Sequence, residues 1–264
     1  MTGIGIAVAV VAILSAMVLD HGSPVQLVNI PAMILVLGGT LGVTAAGGSR
    51  SQAKKIPRLL LRALKPPALP DSRAAVVALV GLAKEARRGG LVEMDRLARE
   101  SGDPFLVKGA ELVASSSDPE QVDEILGAEI EGMRARHRRG AKVFSDMGGF
   151  APTLGILGTV IGLVHVLGHL GSPRTLGPAI ATAFVATLWG VFTANVVWLP
   201  VANRLRSLSE AETEYRSLII EGLLAIQAGH STNAVRDRLV TYLPPADREL
   251  DDPATPSRSE EAAA

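Results

Sequence analysis

GGFAPTLGILGTVIGLVHVLGHL, residues 148–170, runs from end to end without a lysine, arginine, aspartate or glutamate. Three further stretches share that property, Met1–Leu19, His21–Ser49 and Thr175–Asn203, and the quoted stretch itself extends over Met147–Pro173. Each holds an apolar core near or above the roughly 17–25 residues needed to cross about 30 Å of hydrocarbon. A soluble core helix keeps a wet face and carries charge every turn or two. Four uncharged runs in a chain of 264 residues that is 48% apolar therefore read as four membrane-spanning helices. The first run lacks the basic start of a secretory signal, and Asp20 and His21 stand where a small-residue cleavage site belongs. It is expected to stay as a span.

Basic residues orient the spans. Eighteen of the 26 lysines and arginines fall between Gly47 and Asp146, seven from Arg204 onward, and Arg174 alone separates the last two spans. Basic loops stay on the cytoplasmic side, which places both termini and the long central loop inside. The expected organisation is all-α: spans one and two in 1–49, a helical cytoplasmic domain in 50–146, spans three and four in 147–203, a cytoplasmic C-terminal helix in 204–243, and a disordered tail in 244–264.

Within the central loop, Lys54, Lys55, Arg58 and Arg62 with Leu59, Leu60 and Leu61 predict a helix that either lies on membrane lipid or is basic only through the topology rule. Pro66, Pro67 and Pro70 end it. A second helix runs from Asp71 to about Arg88 and is interrupted at Gly89–Gly90. A third begins at Asp118, where Pro119 and Gln121 complete a capping pattern.

The spans themselves carry no acid or base, so the chain alone offers no obvious ion-binding or proton-relay group. They do carry small and hydroxyl-bearing residues, among them Thr153, Gly155, Gly158, Thr159 and Gly162 in the third and Thr187 and Gly190 in the fourth. These serve either ordinary close packing of membrane helices or a polar seam that needs a carboxylate from another chain. Pro152 and Pro200 mark either helix boundaries or bends. Taken on their own residues, Arg87, Arg88, Glu93 and Asp95 read as a solvated charged face. Cysteine is absent, and no nucleophile with its base, no metal-ligand cluster and no phosphate loop is visible, which argues against an enzyme. Zero net charge gives no footing for a nucleic-acid partner.

PAMILVLGGTLG (31–42), the 148–170 stretch and LGPAIATAFVATLWGVFTANVVWLPVANRL (176–205) together resemble the MotA/PomA family of flagellar motor stator subunits. The likeness runs from about Gly3 to Ile226. It implies a homopentamer around two single-span MotB-type chains, each supplying the ion-binding aspartate, in the bacterial inner membrane. Ion influx through this assembly would turn the ring, and the cytoplasmic layer would push on the rotor protein FliG.

By the same resemblance Pro152 and Pro200 match the family's gating prolines, and Thr187 matches the threonine lining the ion path. Arg87 matches a rotor-facing arginine, and Asp95 stands where the family has glutamate. No cofactor is implied beyond the permeating ion, H+ or Na+. Thr159 is similar to the extra hydroxyl of sodium-driven members, whereas AFVATLWG (183–190) is more similar to proton-driven ones. Two other readings are a TolQ/ExbB-type energiser, which usually has three spans, and a membrane scaffold that conducts nothing.

Overall fold

The computed structural model describes residues 2–48, 54–65, 70–115, 118–168 and 173–249. All of the regular structure among them is helical. Helix α1 is Thr2–Leu19, α2 is Ile30–Gly47, α3 is Ile56–Leu64, α4 is Ser72–Glu100, α5 is Pro104–Ala114 and α6 is Pro119–Leu167. Helix α7 begins as Pro173–Phe192, widens into a π-helical segment Thr193–Trp198 and continues as Leu199–Gln227; α8 is Thr232–Leu239. Three helices, α2, α6 and α7, contain stretches long and apolar enough to cross a membrane, and α1 is a shorter apolar helix. Only 22%, 22% and 28% of those three apolar stretches is buried within the chain, so most of their surface is left for lipid or other subunits. The chain is a polytopic all-α membrane protein of four spanning helices.

Contacts divide it into two compact units, Met1–Pro67 with Ala135–Ser209, and Ala68–Arg134 with Glu210–Ala264. In the first unit the short turn before α2 is latched to α7. The Trp189 indole donates to the Leu27 carbonyl at 2.7 Å, and Asn29 donates to the Thr182 hydroxyl at 3.1 Å while capping α2 through the Ala32 amide. Helix α3 turns Ile56, Leu59, Leu60 and Ala63 inward, the spacing of one helical face, onto Phe144, Met147, Val201 and Leu205. Arg58, Leu61 and Arg62 lie on the opposite, exposed face. Pro66 and Pro67, expected to close this helix, lie outside the described residues.

The second unit is a water-type helical core. Leu79, Met94, Leu126, Leu218, Ile219, Leu223 and Leu239 are fully enclosed in it, each contributing about 1.5–3 kcal/mol by burial. Asp71 caps α4 through the Ala74 amide at 3.0 Å. That helix resumes beyond the expected interruption, running on to Glu100 through one non-helical residue, Gly90, at φ 81. A side chain at that φ is strained, which is why glycine occupies the kink.

Helix α5 was not expected. Asp103 caps it through the Phe105 and Leu106 amides, and Pro104 takes the first helical position. Asp118 opens α6 by accepting from the Glu120 amide at 3.0 Å. The Tyr215 hydroxyl donates to Asp103 at 2.6 Å; burial, then the carboxylate, pushes its pKa up. Glu129 receives Lys108 at 2.6 Å and Arg216 at 3.2 Å, and the hydrogen-bonded Lys108 ammonium holds its carboxyl below the usual range.

A threonine seam between two membrane helices

Glycine decides how closely α6 and α7 approach. A Cβ on Gly190 would sit 2.6 Å from the Ala151 carbonyl, and one on Gly155 would sit 2.9 Å from the Ala186 carbonyl. A Cβ on Gly158 would sit 2.7 Å from the Ala186 Cβ, and one on Gly162 would sit 2.6 Å from the Ala183 Cβ. The two backbones thus touch along two turns, as small residues allow in membrane helices.

Contact this close brings Thr159 and Thr187 together. Their hydroxyls hydrogen-bond to each other. The Thr159 hydroxyl also lies 3.1 Å from the Ala183 carbonyl and 3.3 Å from the Gly155 carbonyl, and Thr187 donates to Gly155 at 3.2 Å. Both side chains are half-buried. Two hydroxyls bring two protons and four lone pairs, so after these bonds oxygen lone pairs remain to solvate a cation or accept from a proton donor. An alcohol does not ionise at neutral pH, and so the pair cannot supply fixed negative charge.

Thr153 lies apart from this pair, exposed, with its hydroxyl turned back to the Phe150 carbonyl at 2.7 Å. Six residues separate it from Thr159, about 240° around a helix of 3.6 residues per turn. His165 is exposed, and His169 lies outside the described residues.

Pro152 sits inside the continuous helix α6, where it removes the bond to the Gly148 carbonyl. Pro200 follows the π-helical segment Thr193–Trp198 by two residues. A second π-helical segment, Ile34–Gly38, interrupts α2. Val36 from one segment and Ala194 from the other pack with Ala151, beside Pro152, in a cluster bordered by Trp189 and Trp198. Three departures from α-helical bonding meet at one place. The π-helical segments were not anticipated from the sequence, and such turns recur at functional sites.

In the second unit Arg87 is exposed and has no ion-pair partner among the described residues, while Arg88 pairs with Glu85 at 3.5 Å. Asp95 is bonded to Arg99 at 2.9 Å, with 17% of its side chain exposed. Arg87 stands three residues before the Gly90 kink; Asp95 lies beyond it.

The family model described as the MotA/TolQ/ExbB proton channel family matches residues 98–217. Motility protein A of Bacillus subtilis is 36% identical over 249 residues, 93% of this chain and 91% of that protein. Chemotaxis protein PomA of Vibrio alginolyticus is 32% identical over 244 residues, 90% and 93% of the two chains. A chain in the structure of the flagellar MotAB stator complex from Bacillus subtilis superposes with a TM-score of 0.86 at 36% identity, over 93% of this chain and 96% of that one. With a threonine seam built on glycine and relatives aligned along nearly its whole length, this chain belongs to the MotA/PomA family of stator subunits, within the MotA/TolQ/ExbB proton channels.

Proposed function

We propose that the chain is the channel-wall and torque-generating subunit of a flagellar motor stator, in which H+ or Na+ influx past a MotB-type partner drives rotation. The observation that carries this reading is the Thr159–Thr187 hydroxyl pair, set on touching helices in spans that hold no acid of their own. A partner aspartate facing the seam completes an ion site: the carboxylate supplies charge, and the hydroxyl oxygens replace part of the ion's hydration. Pro152, Pro200 and the adjoining π-helical segments form the part of the wall free to change shape when that carboxylate gains or loses its charge.

In this reading five copies enclose the partner pair, and both termini and the second unit lie in the cytoplasm of a cell whose inner membrane holds the ring. Arg87 faces the rotor protein FliG. Asp95, held by Arg99, orients that surface or exchanges partners with it. Thr153, exposed and apart from the seam, lines a wider part of the path. No catalytic step on a substrate is involved.

The test is motility in cells whose own copy is replaced. Thr187→Val, close to isosteric, and Pro152→Leu are expected to abolish swimming at normal membrane levels. Wild-type torque in both variants would remove the channel-wall reading.

A further inference from the structure

Between α1 and the middle of α7 lies an open groove of about 560 Å³. Its walls change character along its length. Ile6, Ala9 and Val196 line it with hydrocarbon beside Asn195, whose amide is turned back to the Val191 carbonyl at 2.9 Å, and Pro200, Arg204 and Ser207 follow one another on successive turns of α7 toward a polar end. Arg204 is the first charged residue after the fourth span. It has no ion-pair or hydrogen-bond partner among the described residues, and its Nε is shut off from solvent with nothing to donate to.

A guanidinium carries five N–H donors, and where the chain supplies no acceptor an anion in the groove engages those that face it through charge-assisted contacts. Among the described residues no carboxylate provides such a contact to Arg204. Arg206, two residues on, shows the contrast: it is exposed, and donates to Asn203 at 2.7 Å and to Ser145.

We propose that this groove is a binding site for an anionic phospholipid of the membrane, with one acyl chain along Ile6, Ala9 and Val196 and the headgroup phosphate on Arg204 and Ser207. Charge complementarity selects the occupant, because a cationic fork beside an apolar slot fits a lipid that has phosphate at one end and hydrocarbon at the other. A negatively charged headgroup is preferred to a zwitterionic one, whose own cation competes for the phosphate. The lipid would rest against Pro200, two residues beyond the π-helical segment, so its presence bears on the shape of the wall. The site depends only on the chain being embedded in a membrane, and stands or falls separately from the identity of the permeating ion.

Native mass spectrometry of the full-length chain with its co-purifying partner, titrated with phosphatidylglycerol or phosphatidylcholine, tests the proposal. Wild type is expected to retain phosphatidylglycerol in preference to phosphatidylcholine. Arg204→Gln is expected to weaken that retention about tenfold, the scale of one charge-assisted contact, and Arg206→Gln to leave it unchanged. Ala9→Leu, which fills the apolar slot without touching charge, is expected to weaken retention of both lipids, and keeps the test valid if Arg204→Gln does not accumulate. Equal retention of the two lipids by wild type, or undiminished retention in Arg204→Gln and Ala9→Leu, overturns the proposal. So does a cysteine at Ala9 that crosslinks to a neighbouring copy while no lipid is held.

Discussion

A Cβ built on Gly190 falls 3.0 Å from the Cα of Gly155, and that contact sets the spacing at which Thr159 and Thr187 meet. Gly190→Val forces the helices apart, because the nearest atoms are backbone and cannot swing aside. Overpacking of this kind costs about 1–3 kcal/mol. The variant is expected to lose motility while still reaching the membrane, as judged by swimming assay and immunoblot of the membrane fraction.

Tyr215 and Asp103 tie α7 to the start of α5 through one carboxylate that also caps α5. Removing the hydroxyl in Tyr215→Phe takes one bond from a charged acceptor, about 1.5–3 kcal/mol, without opening a cavity. Thermal unfolding of the second unit is expected to move down by several degrees. An unchanged midpoint would show that the carboxylate satisfies itself elsewhere.

Glu129 gives the second unit an acid-sensitive contact. Its folded pKa is depressed, chiefly by the Lys108 hydrogen bond, against an unfolded value near 4.3. The contribution is therefore fully present above about pH 4.3 and is lost as pH falls through the lower, folded value. Glu129→Gln is expected to flatten the fall in stability over that range. Because about a third of the side chain is exposed, solvent keeps the effect small.

Arg87 carries an exposed charge three residues ahead of the Gly90 kink, with no ion-pair partner among the described residues. Arg87→Glu is expected to slow swimming with little loss of stability, and a reversed charge on the rotor partner is expected to restore part of the speed. Motility unaffected by the reversal would detach Arg87 from the rotor surface.

The spans were legible because charge is absent over long runs, a signal that needs no tertiary knowledge. Helix starts at Asp71 and Asp118 were legible for local reasons, since aspartate caps act within three residues. Asp103–Pro104 carries the same signal and opens α5, which makes that helix legible on the same local grounds. Thr159 and Thr187 were visible as hydroxyls, but their meeting depends on the register of two helices, which Gly155 and Gly190 determine in three dimensions. The π-helical segments left no pattern to read: Ile34–Gly38 contains no proline, and the widened turn arises where Val36 and Ala194 pack on Ala151. The latch from Trp189 to the Leu27 carbonyl is a contact between a side chain and a distant backbone, and periodicity does not encode such contacts.

Flux of H+ and of Na+ into vesicles, measured for the purified chain alone and for the chain with its single-span partner, tests most directly whether the wall borrows its titrating group. The expected result is no flux from the chain alone, flux when the partner is present, and loss of that flux when the partner's membrane aspartate is changed to asparagine. Either ion passed by the chain unaided would contradict the central claim.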